Sequence, residues 1–428
     1  MISNVVILAG GFGTRSENPS LPKVLQQVSS DKRIIDFLID QLDRFDTVTK
    51  VSWLLGHGAE QVAKVLSLLR PNDTTREDGV KGTAKALLAS LDLLQDGQTL
   101  IVLGDTFFGM PLGKVLGRID KDADLVFFGR QSDHVFDSDQ VEVSEDRQIS
   151  NFIPKGVAAR KIQGTRYGLT GLTIASKELI ASIDPSLDLQ LGLFLASKNL
   201  GKPANFIPIS WYSRDTGTSE RLRKVWSDLE SGVYARRSAP SRGAIFLDRD
   251  GTLIPDIGES RKSVASSDIP KRVAEAIAQT NSLGIPLFMV TNQPGIAKGM
   301  ISRQDVAQCF MDISHLLADS RGHLDDFYYC PHHPDRGWSG EIVELKVACD
   351  CRKPGAGMLR KAEIEHDLSP ENSFVIGDTN RDEGAATNWG ANFLRVSWTD
   401  SGVEVAKAIA LARNEILNSA GRRGASRI

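Results

Sequence analysis

The feature that most constrains this chain is an alternation of short apolar runs, each about one strand long, with longer stretches of helical periodicity. Strands that recur with helices between them predict a mostly parallel sheet covered on both faces, an α/β fold of the doubly wound kind. The alternation comes in two series. In the first, residues 4–9, 51–56 and 99–105 read as strands, and residues 33–45, 61–69 and 82–94 as the helices between them. The second starts abruptly at Gly243, with strands at residues 244–247, 285–291, 374–377 and 393–396, most of which end at an acidic or polar residue. A chain of 428 residues is too long for one core, since single cores seldom exceed about 250–300 residues. The predicted division is a domain at 1–230, a linker at 231–242, a second domain at 243–418 and a tail at 419–428. Residues 231–242 (SGVYARRSAPSR) have no apolar period and read as an exposed, flexible linker. The small, basic residues of the tail are expected to fray.

Composition excludes some partners. Hydrophobic residues make up 41% and charged residues 25%, the balance of an ordinary soluble protein. No segment approaches the roughly 18 unbroken apolar residues of a membrane helix. A net charge of −3, with no long basic run before the tail, argues against a general nucleic-acid binder. The opening residues lack the basic start of a signal peptide, so a cytoplasmic location is expected. Of four cysteines, Cys330, Cys349 and Cys351 crowd together with His332 while Cys309 stands apart, a grouping that suggests a metal before a disulfide.

The first strand runs into Ala9-Gly10-Gly11-Phe12-Gly13-Thr14-Arg15, with Pro22-Lys23 shortly after. Glycines at a strand end let the backbone fold around a phosphate and aim amides at it. Arg15 and Lys23 would add positive charge for a triphosphate and a pyrophosphate leaving group. Taken alone, Gly-x-Gly is as readily a plain turn. Two aspartates shift the balance. Asp105 follows a strong strand, and Asp215 sits in Arg-Asp-Thr-Gly-Thr; a carboxylate beside a phosphate cradle is a natural magnesium ligand.

Over about residues 3–230 this half is similar to the sugar nucleotidylyltransferase family. Its opening motif matches Gly10 to Arg15 with Pro22-Lys23, and its two magnesium-holding aspartates match Asp105 and Asp215. Its loop touching base and sugar matches Gly82-Thr83-Ala84. The resemblance implies a Rossmann-like mixed sheet and attack of a sugar phosphate on the α-phosphorus of a nucleoside triphosphate. Positioning and charge neutralisation would do the work, without a covalent intermediate. The stretch from Arg15 to Pro22 is about two residues shorter than in the family, and Glu77 lies five residues before Gly82 instead of four.

The second half opens with the most specific segment, Phe246-Leu247-Asp248-Arg249-Asp250-Gly251-Thr252. Two carboxylates two residues apart at a strand end can be aimed at one phosphate, one as nucleophile and one as proton donor, provided a cation offsets their charge. Thr291-Asn292 and Gly377-Asp378 follow at later strand ends, with Arg352-Lys353 just after Cys351. Cys330-Pro-His332 and Cys349-Asp-Cys351 supply three thiolates and an imidazole, a complete tetrahedral zinc shell of the structural kind.

From about residue 243 to 415 the chain resembles the haloacid dehalogenase phosphatases. In that likeness Asp248 is the nucleophile, Asp250 the general acid and base, Thr291 and Asn292 hold phosphoryl oxygens, and Lys353 neutralises the intermediate. Asp378 binds magnesium with Asp248 and the carbonyl of Asp250, and Asp382 steadies the site. The zinc set, with Asp-Arg-Asp-Gly-Thr and Cys-Asp-Cys-Arg-Lys-Pro, resembles the D-glycero-D-manno-heptose 1,7-bisphosphate 7-phosphatases; histidinol-phosphate phosphatases are near relatives. The chain departs from the heptose enzymes in lacking a tyrosine after Gly258 and in carrying Thr379 where they have a basic residue. The two likenesses imply consecutive reactions: a heptose bisphosphate loses its 7-phosphate, and the heptose 1-phosphate is activated, with GTP as donor in the α-anomer route. The alternatives are another phosphorylated sugar or cyclitol with a different base, or one half serving only as a scaffold.

Overall fold

The structure, a computed structural model, describes residues 2–11, 20–44, 51–77, 79, 81–131, 138–157 and 164–425, with side chains up to residue 419. The first half contains β1 (Ile2–Ala9), β2 (Ser52–Leu55), β3 (Thr74–Glu77), β4 (Gln98–Leu103), β5 (Thr106–Gly109) and β6 (Leu125–Arg130). It continues with β7 (Gln140–Val143), β8 (Ile149–Ile153), β9 (Thr165–Ser176), β10 (Ala204–Pro208) and β11 (Tyr212–Asp215). The main sheet runs in the order β10-β6-β9-β4-β1-β2-β3, with β7 and β8 attached beside β9, and β5 and β11 form a separate ribbon. β1 pairs in parallel with both β2 and β4, whereas β9 is antiparallel to β4 and β6, so the sheet is mixed.

The strand order changes direction at β1. Crevices at such points, outside the carboxyl ends of the strands, are where ligands bind in open α/β sheets. The run Val5 to Ala9 is buried because both faces of the sheet are covered, which is why it reads as continuous apolar sequence. The helices Ile34–Asp43 and Ala59–Leu69 match expectation. The expected helix at 82–94 is shorter, Thr83–Ala89 followed by a 3-10 turn. Buried Ser90 bonds back to the carbonyl of Leu87 at 2.7 Å, an alternative to helical continuation.

The second half is a parallel sheet of β12 (Ile245–Leu247), β13 (Leu287–Asn292), β14 (Asp326–Cys330), β15 (Phe374–Gly377) and β16 (Asn392–Arg395). Its order is β14-β13-β12-β15-β16, so β12 is central and the order reverses there. All three residues of β12 are fully buried. Among the described residues no helix is long and apolar enough to cross a membrane.

Two sequence expectations need correction. Residues 231–242 are not an exposed linker: they contain the helix Val233–Ser238, and Arg237 and Arg242 are only 7% and 5% exposed. Arg236 donates to the Leu283 carbonyl at 2.6 Å, and Arg237 bonds the Ser210 carbonyl at 2.9 Å and pairs with Asp325 at 2.5 Å. Arg242 donates to the carbonyls of Arg237 and His366, both at 2.6 Å, and lies over the Trp211 ring. Burial, with the nearby Arg237 charge, pulls its pKa down to about 9. Ser, Arg and Pro suggested solvent, but every one of these arginines finds carbonyls or a carboxylate to bond. The tail is also different, because the helix Val403–Ala425 continues through residues 419–425.

Candidate active sites

In the first half the site grows from the carboxyl ends of β1, β4 and β11. Gly10 and Gly56 allow β1 and β2 to end in close contact; a Cβ on Gly56 would lie 2.7 Å from the Gly10 carbonyl oxygen. Among the described residues, a Cβ on Gly11 would meet nothing within 4 Å. Gly104 donates to the Leu8 carbonyl at 3.0 Å, which draws Asp105 to the end of β1. The Lys23 ammonium meets Asp105 Oδ2 at 2.5 Å. The β5–β11 ribbon places Asp215 opposite Thr106, and both the amide and hydroxyl of Thr216 donate to the Asp105 carbonyl at 2.8 Å. Asp215 is held in turn by the Gly217 amide and by Arg221 at 2.7 Å.

The structure therefore brings Lys23, Asp105 and Asp215 together from three distant stretches of chain. Gly82 and Thr83 are exposed at the start of a helix that buries Ala84 and Leu87 and, among the described residues, share no hydrogen bond with that set. Gly13, Thr14 and Arg15 lie outside the described residues.

In the second half Asp248 follows β12 directly and is 6% exposed. Lys353 donates to it at 2.5 Å, to the Val290 carbonyl at 3.0 Å, and to Asp382. Burial raises the Asp248 pKa to about 7 in spite of Lys353, with Asp382 pushing the same way. Burial also pushes Asp382 up, but Lys353 and Thr379 outweigh it and hold that carboxyl below its usual range. Asp378 is raised by burial and by Asp382, and its Oδ1 is buried without a partner. Oxygens of Asp248, Asp378 and Asp382 lie within 4.8 Å of one another. Three carboxylates around one ammonium leave a place short of positive charge, so the donor set fits a hard divalent cation. Gly251 is required beside it: its φ is +81°, and a Cβ would lie 2.3 Å from Asp378 Oδ2.

Asp250 has different surroundings. Its Oδ2 accepts from Arg249 at 2.9 Å and from Gln293 at 3.1 Å, while Arg261 stands 3.9 Å from Oδ1. The two aspartates of the motif thus face opposite kinds of neighbour, a lysine–carboxylate cluster and an arginine–amide cluster. The side chain of Asn292 bonds the Lys353 backbone at both its oxygen and its nitrogen, 3.0 and 3.1 Å. Thr291 is buried, and its hydroxyl oxygen accepts from Gln293 at 2.8 Å. Arg352 donates to the His332 carbonyl at 3.3 Å.

Cys330, His332, Cys349 and Cys351 converge, with Sγ and Nδ1 atoms 3.2–3.6 Å apart. Contact with Cys330 and burial hold the Cys351 thiol far above its ordinary pKa. Thiols this close are stable as thiolates only around a cation, so these donors suit a tetrahedral metal ion.

Residues 4–155 match the nucleotidyl transferase family model, and residues 350–418 match the HAD-hydrolase-like model. Among curated proteins, the D-glycero-β-D-manno-heptose-1,7-bisphosphate 7-phosphatase of Photorhabdus laumondii is 40% identical over 144 residues, 34% of this chain and 74% of that protein. The Pasteurella multocida protein of the same name is 42% identical over 135 residues, 32% of this chain and 70% of that protein. The chain belongs to this phosphatase family. Ahead of the phosphatase domain it carries a nucleotidyl transferase domain, and the pair makes it a transferase and a hydrolase in one polypeptide. Among solved structures, HddC from Yersinia pseudotuberculosis aligns over 53% of this chain and 100% of its own at 21% identity and a TM-score of 0.44. An inositol-1-phosphate CTP transferase from T. maritima aligns over 54% and 97% at 14% identity and 0.43.

Sequence reasoning missed several partners of the phosphatase residues. Arg249 is 1% exposed, and Gln293 and Arg261 are 3% and 4% exposed. Arg249 and Gln293 were visible as immediate neighbours of motif residues, on the alternate side of the strand end. Arg261 carried no signal, because only the fold of the loop after Thr252 brings it to Asp250. Arg221 follows Asp215 by six residues and reaches back from the first turn of the helix Ser219–Glu230.

Proposed function

We propose that residues 243–418 remove the 7-phosphate of a D-glycero-D-manno-heptose 1,7-bisphosphate, and that residues 1–230 transfer a nucleotidyl group, GMP from GTP, to the heptose 1-phosphate with release of pyrophosphate. The observation that carries this reading is the Asp248–Lys353–Asp382 cluster, with Asp378 beside it, in a domain 40% identical to heptose bisphosphate phosphatases. A heptose 1-phosphate is what a nucleotidyl transferase domain on the same chain can use.

In this reading Asp248 attacks phosphorus and forms an aspartyl-phosphate while Asp250 gives a proton to the departing sugar oxygen. Asp250 then takes a proton from the water that hydrolyses the intermediate. Lys353 balances the phosphoryl charge, Thr291 and Asn292 hold its oxygens, and Arg352 contributes to recognition. Asp248, the Asp250 carbonyl and Asp378 would hold magnesium, which supplies charge neutralisation. Zinc held by Cys330, His332, Cys349 and Cys351 would fix the loop leading to Lys353. In the transferase half, Lys23 and Arg15 would face the triphosphate, Gly10, Gly11, Gly13 and Thr14 would cradle it, Gly82 and Thr83 would meet base and sugar, and Asp105 and Asp215 would hold magnesium.

The matched phosphatases are named for the β-anomer, whereas the guanylyl route implies the α-anomer, so the anomer is part of the test. The protein is incubated with magnesium, each heptose bisphosphate anomer and each nucleoside triphosphate, and products are identified by mass spectrometry. The expected product is a GDP-linked heptose without a 7-phosphate. Phosphate release without any nucleotide sugar from any pairing would overturn the coupled reading and leave the phosphatase.

A further inference from the structure

The turn between β7 and β8 belongs to the transferase half and carries Glu145 and Arg147, the latter at a φ of +62°. Arg147 reaches across into the phosphatase half. Its guanidinium donates to Asp326 and to Glu365, each at 2.6 Å, and to the Tyr167 hydroxyl at 3.1 Å, and lies over the Tyr328 ring. Tyr167 donates to Asp326, and Tyr328 donates to Glu365 at 2.6 Å. Asp326 is wholly buried. Beside this, Glu145 accepts from the Tyr329 hydroxyl and pairs with Arg303. Asp326, Glu365 and His366 are close enough to suggest a metal, but Arg147 already fills that role.

The acids that Arg147 binds sit on two elements with a shared purpose. Asp326 opens β14, the outermost strand of its sheet, and that strand ends at Cys330. Glu365 and His366 close the helix Gly357–His366, which starts just after Lys353. Between these two elements runs the loop that carries Cys349, Cys351 and Lys353. One guanidinium from the other half therefore ties together the far ends of both supports of that loop. Removing it leaves buried Asp326 and half-buried Glu365 near each other without the guanidinium, bridged among the described residues only by Tyr328 and His366, which loosens the hold between the supports.

We propose that Arg147, with Glu145 beside it, is a positioning residue for the phosphatase reaction: by holding β14 to the helix Gly357–His366 it sets where Lys353 meets Asp248. This rests on the phosphatase assignment. Displacement of a catalytic group by about 1 Å from a distant change can lower turnover by about a hundredfold.

The test uses the full chain with Arg147→Gln and Arg147→Lys. Phosphate release from the bisphosphate, pyrophosphate release from heptose 1-phosphate and hydrogen exchange in residues 331–356 are measured under conditions where circular dichroism shows each variant folded. For Arg147→Gln, phosphatase kcat is expected to fall about tenfold or more with KM within about threefold, while pyrophosphate release stays within about twofold. Loop amides exchange faster, and Arg147→Lys restores part of both effects. Unchanged kcat with unchanged loop exchange overturns the proposal, as does an equal fall in both activities, which marks general destabilisation. Hydrogen exchange needs no substrate, so it decides the matter even if the bisphosphate proves to be the wrong substrate. Should Arg147→Gln not fold, Glu145→Gln at the half-exposed rim carries the same test, and unchanged phosphatase kcat and loop exchange there overturn the proposal.

Discussion

Asp248 and Asp105 each sit against a lysine, at 2.5 Å in both cases, and are proposed to serve different reactions. Asp248→Asn is expected to lower phosphate release by about 10⁴-fold or more, since loss of a nucleophile removes the main chemical path. Pyrophosphate release from heptose 1-phosphate should hardly change, and Asp105→Asn should give the reverse. Loss of both activities in either folded variant would refute two separate centres. A finer residue-scale test is Gly251→Ala. The added methyl has no room beside Asp378 and strains a positive φ, at a cost of about 1–3 kcal/mol. Phosphatase turnover should drop sharply, with the transferase assay as internal control. Of the residues in both sites, the carboxylates and Lys353 were legible because each ends a strand or sits in a dense motif. Arg261 and Arg147 were not, since their partners are brought to them only by tertiary folding.

At the scale of elements, the loop from Cys330 to Lys353 has little regular structure, and it brings together four donors that would hold a metal. Strong chelation or Cys349→Ser should lower the thermal midpoint and loosen this loop, because structural zinc can contribute on the order of 10 kcal/mol in small domains. An active preparation shown by elemental analysis to contain no zinc would end that assignment. The parallel strands around each switch point were plain in the sequence because burial on both faces makes them continuous apolar runs. β9 was not. Its sequence, TRYGLTGLTIAS, carries two glycines that read as breaks, yet Gly171 is required because a Cβ there would lie 1.7 Å from the Thr106 hydroxyl of β5. The helix Val233–Ser238 was hidden for another reason: its arginines are buried by bonds to carbonyls, which no hydrophobic pattern reveals.

At the scale of the whole molecule, the two candidate centres draw on separate sets of residues, while Arg147 and Arg237 join the two halves. Burial tends to raise the pKa of Asp326 and Glu365, but Arg147 outweighs it and both end below their ordinary values. Carboxyls depressed by folding add stability that is complete above their unfolded pKa of about 4 and lost as pH falls through the lower folded values. Calorimetry should therefore give one cooperative transition near neutral pH, and a lowered or split one in acid. An acid-insensitive melting profile would show that the pairing contributes little. The union also bears on reaction order. Among the basic residues scattered through 150–215, Arg166 is held by buried Glu142 at 3.0 Å. Desolvating an unmatched dianion is costly, so the bisphosphate should be a poor substrate of the transferase. With Asp248→Asn blocking the phosphatase, bisphosphate and GTP should yield little nucleotide sugar, and added heptose 1-phosphate should restore it. Efficient formation of a nucleotide-linked heptose 7-phosphate would reverse the order.

Arg236, Arg237 and Arg242 mark the joint between the halves as an inviting target for trypsin, which cleaves after arginine. Protease must draw several residues of extended backbone into its cleft, and here those residues are helical or fixed by bonds to Leu283, Ser210, Asp325 and His366. Brief digestion of the native chain should leave this joint uncut. The same bonds make each half a fitted counterpart of the other, so exchanging either half for a free-standing homologue at this boundary would strand buried arginines without their acceptors.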